Sequence, residues 1–273
     1  MFRLAKHLMR NFTNTSAADE HVYISESDGV RSLHLGSVTI QSAMRVRDPF
    51  LLELNYTRGI MCFLLFKANV KSMLTIGLGG GSVAKYVYKN CPEIVSTLVE
   101  INPQVIQMAR NQFYVPENDE SFEVLEADGL QYLAEHPSAT DVLLIDAFDS
   151  NGIPPNFCSQ DFFDQCSVTL KHDGLLVINL WGSDKNFDIY LQRIEQSFEH
   201  RVLIMRTGKP GNIVVFGFNQ APKHLEVTKL LARAKSLEDE HHTIEFIAFV
   251  NNLCNDNQVY QKRLLMRGES SDD

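Results

Sequence analysis

Apolar positions along this chain follow two patterns, with the change near residue 70. Residues 22–42, VYISESDGVRSLHLGSVTIQS, alternate apolar and polar side chains on both sides of Asp28-Gly29, which predicts a small antiparallel β unit built on a tight turn. Residues 49–68, PFLLELNYTRGIMCFLLFKA, are mostly apolar and predict a largely buried helix opened by Pro49 and softened near Gly59. From residue 72 short apolar runs alternate with amphipathic stretches. SMLTIGLG, VSTLVEI, FEVLEAD, DVLLIDAF and GLLVINLW read as strands. Helices follow them at residues 82–90, 103–113, 129 to about 136, 159–170 and about 185–198.

Strands this continuously apolar suit a mostly parallel sheet covered on both faces. The last two strands, VLIMRT and NIVVFGFN, are joined only by GKPG, too short for a helical crossover, so they are expected to pair antiparallel. A parallel series closed by an antiparallel hairpin predicts an α/β fold with a methyltransferase-like Rossmann sheet and a small N-terminal antiparallel β unit. Residues 224–254 add one or two helices. The expected divisions are 1–48 for the β unit, 49–222 for the nucleoside-binding domain and 223–273 for a helical extension.

Composition narrows the function classes only a little. With 273 residues, 44% hydrophobic, the chain is long enough for a sizeable core. A net charge of −9 argues against general nucleic-acid binding, which needs a basic face. Five cysteines without CxxC spacing read as free thiols of a reducing compartment. The opening MFRLAKHLMRNF has no continuous apolar core or cleavage site, and the longest apolar run, IMCFLLF, is far too short to span a bilayer. A cytoplasmic protein without membrane association is expected.

Polar groups cluster where ligands bind in such sheets, at the carboxyl ends of the strands. Gly79, Gly80, Gly81 and Ser82 follow the first strand, and glycines there allow a ligand close to the backbone at a helix N-terminus. Glu100 ends the second strand and can accept both hydroxyls of a ribose; as a helix cap it is inferior to Asn102. Asp128-Gly129 end the third, suited to an adenine amino group or to an ordinary helix cap. Asp146 and Asp149 flank the end of the fourth, a pair suited to holding a cation and accepting a proton.

These residues, in this order, resemble the spermidine synthase (polyamine aminopropyltransferase) family over residues 22–220. The resemblance implies transfer of an aminopropyl group from decarboxylated S-adenosylmethionine to a small diamine such as putrescine, with methylthioadenosine released, no metal, and a homodimer. It assigns the glycine loop, Glu100, Asp128 and Gly129 to the nucleoside. Asp146 becomes the proton acceptor and Asp149 the partner of the distal ammonium, with Gln41 lining the amine site. Three departures stand out. Ser82 replaces the family's aspartate after the glycines, Leu52 and Glu53 fall about where a Tyr-His pair is expected, and Ser150-Asn151 follow Asp149 where the family's dipeptide opens with proline. Two other readings stay open: a methyltransferase using ordinary S-adenosylmethionine, with Ser82 and the loop N–H groups taking its carboxylate, and a non-catalytic nucleoside-binding protein.

Overall fold

The computed structural model describes residues 22–36, 39–147, 152–208 and 211–269. The opening segment MFRLAKHLMRNF, Asp149 and the Ser150-Asn151 dipeptide lie outside them. The chain starts with strands β1 (Val22–Ser27), β2 (Val30–Leu35) and β3 (Ser42–Arg45), then short helices α1 (Asn55–Ile60) and α2 (Phe63–Phe66). Alternation begins at β4 (Ser72–Ile76), α3 (Ser82–Asn90), β5 (Val95–Glu100), α4 (Pro103–Phe113), β6 (Phe122–Glu126) and α5 (Gly129–Glu135). It continues through β7 (Thr140–Ile145), α6 (Gln160–Thr169), β8 (Leu170–Trp181) and α7 (Phe187–Ser197). After β9 (Val202–Arg206) and β10 (Asn212–Phe218) come α8 (Val227–Glu240), α9 (Phe246–Asp256) and a minimal hairpin, β11 (Val259–Tyr260) and β12 (Arg263–Leu264).

The main sheet has the order β6-β5-β4-β7-β8-β10-β9. Strands β4 to β8 pair in parallel, whereas β10 runs antiparallel to both β8 and β9. This is the parallel series with a closing hairpin that the sequence predicts. The order in which strands are added reverses between the parallel neighbours β4 and β7, the point where open sheets of this kind form a ligand crevice.

Both faces are covered, and the strands divide their side chains between them with period two. Val142 and Leu144 of β7 join Leu175 and Val177 of β8 and Val214 and Phe216 of β10 in one core, packed under α1, α2, α3, α8 and α9. Leu143, Ile145, Leu176 and Ile178 enter the opposite core with Phe162 and Phe163 of α6 and Leu191 and Ile194 of α7. A third cluster docks the β unit on the flank of the sheet: Val22, Leu33, Leu35 and Met44 pack with Leu78, Leu98, Phe113 and Phe122. The C-terminus of α4 is held from both partners there. Arg31 of β2 donates to the Gln112 carbonyl at 2.7 Å, and the buried Lys85 of α3 to the Phe113 carbonyl at 2.6 Å. Cations at a helix C-terminus are favoured by its dipole, yet burial still pulls the Lys85 ammonium down to about 7.

Three local expectations are corrected. The predicted single helix over 49–68 is two short ones, and Pro49 lies in a turn before them. The break falls at Met61-Cys62, whereas Gly59 lies within α1; a Cβ on Gly59 would stand 2.5 Å from Thr207 Cγ2, so the helix is pressed against the end of β9. The β unit has a third strand, β3, paired with β2, and the β11–β12 hairpin carries no strand-length apolar run. All five cysteines are free thiols. Among the described residues no helix is long and apolar enough to cross a membrane.

One glycine fixes how closely the central strands meet. Gly77 follows β4 with φ +94°, and a Cβ on it would lie 2.5 Å from the Asp146 carbonyl oxygen at the end of β7. Gly77→Ala therefore combines an unfavourable backbone conformation with a backbone collision. It is expected to destabilise the fold by about 2–4 kcal/mol in urea denaturation.

Candidate active site

A cavity of about 1010 Å3 opens over the carboxyl ends of β4, β5, β6, β7 and β8, with residues 39–42 of the β unit forming part of its wall. Each wall can be traced to a strand end. After Gly77 the chain turns through Leu78, Gly79, Gly80 and Gly81 into α3, with Gly79 and Gly81 in the left-handed region at φ +52° and +64°. Gly79, Gly81 and Ser82 line the cavity. Gly80 instead backs onto the β unit, where a Cβ would meet Ser42 Oγ at 2.7 Å and Phe113 at 2.8 Å. The Ser82 hydroxyl stands 3.1 Å from the Ser42 hydroxyl and donates to the Ala43 carbonyl at 3.4 Å, tying α3 to β3.

Glu100 reaches from the end of β5 under the glycine loop. Its Oε2 accepts the Leu78 N–H at 3.0 Å and its Oε1 the Asn102 N–H at 2.9 Å. Burial raises its carboxyl above the usual range, and backbone N–H groups of Asn102, Leu78 and Ile101 oppose that rise. Asn102 caps α4 through its side chain, accepting from the Gln104 N–H at 2.9 Å. A carboxylate offers about four acceptor sites, so the three backbone N–H groups leave capacity for a hydroxyl in the cavity. Asp128 caps α5, its Oδ1 accepting the Leu130 N–H at 2.8 Å, and also lines the cavity. The cap and the ligand-facing readings of this aspartate thus coexist. Beside it a Cβ on Gly129 would stand 2.6 Å from Ile76 and 3.5 Å from Phe157. Leu130, Phe157 and Ile101 make this part of the lining an apolar slot.

Asp146 sits one residue past β7, at the floor. Its Oδ1 accepts from Asn179 Nδ2 at 3.0 Å, and Tyr56 of α1 also hydrogen-bonds it. Burial dominates and pushes the carboxyl up to about 6; the bonds from Asn179 and Tyr56 pull the other way. The Tyr56 phenol rises well above its ordinary value, through burial first and then the Asp146 charge, so it stays protonated. Its O–H also reaches the Gln41 carbonyl at 3.3 Å, which brings Gln41 to the same corner.

Gln41, Gly79, Gly81, Ser82, Glu100, Asp128, Gly129 and Asp146 therefore share one cavity, while Asp149 lies outside the described residues. Leu52 and Glu53 carry no aromatic ring, and farther along the chain Tyr56 brings a phenol to Asp146. Glu53 lines the cavity too, but its carboxylate is gripped by Arg45 at 2.7 and 3.1 Å. Sequence reasoning missed Tyr56, Asn179 and Asn212. The signal for Asn179 was present: a lone amide inside LLVINLW has to find a partner. Among the described residues no group of three His, Cys, Asp or Glu side chains could hold a metal ion.

The arrangement offers hydroxyl acceptors, an apolar slot and a desolvated carboxylate within one pocket. A nucleoside could occupy one half while a proton is taken from a second reactant in the other. Comparison with known proteins agrees with that chemistry. The family profile for the "Spermine/spermidine synthase domain" matches residues 53–204. A polyamine aminopropyltransferase of Chromobacterium violaceum is 42% identical over 90% of this chain and 94% of its own length. One from Neisseria meningitidis serogroup A is 39% identical over 87% and 91%. Among solved structures, a probable spermidine synthase from Corynebacterium glutamicum matches 93% of this chain and 95% of its own with a TM-score of 0.67, at 18% identity.

Because the Asp146 carboxyl is raised from 3.8 to about 6, the fold favours its protonated form. Wild-type stability relative to Asp146→Asn is highest below pH 4, falls as the pH rises through 6, and then levels off. The expected total is about 3 kcal/mol, read from urea denaturation of both proteins at a series of pH values.

Proposed function

The chain belongs to the spermine/spermidine synthase family and is a polyamine aminopropyltransferase; from that premise we propose how its residues divide the work. The cosubstrate is decarboxylated S-adenosylmethionine and the acceptor a small diamine such as putrescine, the product being spermidine. Glu100 takes the ribose hydroxyls, Asp128 and Gly129 receive the adenine, and the loop of Gly79, Gly80 and Gly81 carries the chain toward the sulfonium. Asp146 is the proton acceptor and Asp149 the holder of the distal ammonium, with Gln41 beside them. A cytoplasmic homodimer belongs to the same proposal, supported by the family resemblance. Similarity over nine-tenths of the chain to enzymes named for aminopropyl transfer disfavours the methyltransferase and non-catalytic readings.

One observation carries the mechanism: a carboxylate raised to about 6 at the floor of the cavity, with a protonated phenol beside it. A primary amine is an ammonium near neutrality and cannot attack until it loses a proton. Asp146, ionised above pH 6 yet poorly solvated, accepts that proton more readily than an exposed aspartate would. The freed lone pair attacks the methylene beside the sulfonium. A C–N bond forms as the C–S bond breaks, and sulfur departs as the neutral thioether of methylthioadenosine. Holding both reactants in line supplies much of the rate.

Asp146→Asn is expected to keep methylthioadenosine binding and lose turnover by about 10²–10⁴-fold. Wild-type kcat/KM should decline below pH about 6, where the base becomes protonated. Turnover close to wild type in the variant would exclude Asp146 as the base.

Ser82 bears on the choice of cosubstrate. An aspartate at this position would repel the carboxylate of ordinary S-adenosylmethionine, whereas a serine at the start of α3 leaves the favourable dipole unopposed. Glu53 does not replace the missing charge, because Arg45 already neutralises it. The protein is therefore expected to discriminate poorly between the carboxylated and decarboxylated sulfonium compounds. Ser82→Asp should shift preference toward the decarboxylated one by about ten- to hundredfold in competition calorimetry. A wild type already preferring it by more than about a hundredfold would refute the idea.

A further inference from the structure

Two amide side chains lie in line with the Asp146 carboxylate across the end of the sheet. Asn212 Nδ2 donates to Asn179 Oδ1 at 2.9 Å, and Asn179 Nδ2 donates to Asp146 Oδ1 at 3.0 Å. The strands dictate this line. Val142 and Leu144 of β7, Leu175 and Val177 of β8, and Val214 and Phe216 of β10 point into the same core, so Asp146, Asn179 and Asn212 continue three parallel apolar rows by one step. Asn179 and Asn212 are 2% and 5% exposed, and of the two it is Asn179 that donates to the base itself.

We propose that Asn212 and Asn179 are positioning residues for the transfer: a one-way amide chain that keeps Asp146 Oδ1 an acceptor and reserves Oδ2 for the proton of the attacking amine. An ionised carboxylate has no hydrogen to give, so the edge of Asn179 that faces it must be the NH2. That choice turns Asn179 Oδ1 toward Asn212, which must then present its own NH2. Flipping Asn179 alone would set oxygen against oxygen at one end and NH2 against NH2 at the other. The backbone of Asn212 is anchored, its main-chain carbonyl accepting from both the N–H and the hydroxyl of Thr207, each at 3.1 Å, and its amide takes its orientation from the Asn179 oxygen that it serves. A proton placed on Oδ1 would point at the Asn179 NH2, so protonation goes to Oδ2.

Few other groups act on this carboxylate. From β8 it meets Asn179 and from α1 Tyr56, the titratable side chain that faces it among the described residues. Tyr56 stays protonated over the working range. Among the described residues, titration of Asp146 therefore reports on the amide chain. The inference rests on Asp146 being the base of the aminopropyl transfer, and one arm of the test does not require turnover.

The experiment compares pH profiles of kcat/KM for wild type, Asn179→Leu and Asn212→Val, with methylthioadenosine binding and thermal unfolding as checks on the fold. Removing the direct donor in Asn179→Leu should move the acid limb up by about one pH unit and lower kcat at least tenfold. Asn212→Val, one residue removed from the carboxylate, should move it by about half a unit with nucleoside affinity unchanged. An acid limb fixed at the wild-type midpoint in a folded Asn212→Val, whatever its kcat, overturns the proposal and leaves Asn212 a structural residue. Should either variant not fold, wild type carries the test by NMR. Side-chain NH2 resonances of both Asn179 and Asn212 should titrate with the midpoint of the Asp146 carboxyl carbon. Flat Asn212 resonances through that midpoint overturn the amide chain even if the transfer reaction itself is established, and an inactive wild type whose amides do titrate together would count against the reaction alone.

Discussion

A carboxylate taken out of water and only partly repaid in hydrogen bonds governs this protein. Asp146 can act as a base near neutral pH because burial outweighs the two bonds from Asn179 and Tyr56. Full compensation would return it to an ordinary aspartate, always ionised and weakly basic. With no compensation it would stay protonated and useless. The sheet supplies the intermediate condition by placing this side chain one residue beyond a strand whose neighbours on the same face are leucine and valine. Much of the architecture serves that placement. Gly77 lets the backbones at the ends of β4 and β7 approach, and Gly59 lets α1 press in close enough to bring Tyr56 to the floor.

The two halves of the cavity differ in how they are made. In the half lined by Glu100 and Asp128, each group is local to one strand end: a glycine turn, a carboxylate fixed by backbone N–H groups, and an aspartate capping the next helix. The other half is assembled from α1, β3, β7, β8 and β10, and its side chains depend on one another for orientation. Ser82 stands at the boundary, on the helix that follows the glycine turn but bonded to the β unit.

That difference explains what could be read from the residues alone. Glu100, Asp128 and Asp146 were legible because a charged residue ending an apolar run has few structural uses. The parallel series and its antiparallel close were legible from run lengths and from the four-residue GKPG connection. Tyr56 and Asn212 were not, since their importance comes from contacts with residues about 90 and 30 positions away in chain numbering. The predicted helix over 49–68 failed for a related reason. Its apolar composition reflects burial under the sheet, and an apolar run reports burial without stating the backbone path. β3 escaped notice because four residues leave too little alternation to read.

The cavity wall at residues 39–42 belongs to a β unit that is held on by Val22, Leu33, Leu35 and Met44. The pocket therefore exists in full only while that unit is docked, which makes ligand affinity and docking two expressions of one equilibrium. A ligand at a hundred times its dissociation constant would favour the docked arrangement by about 2.7 kcal/mol. Conversely, a fault in the apolar joint at Met44, distant from any reacting atom, would register as weaker binding with the chemical step intact. Heritable variation in this enzyme's substrate affinity can thus accumulate in its hydrophobic seam as readily as in its site.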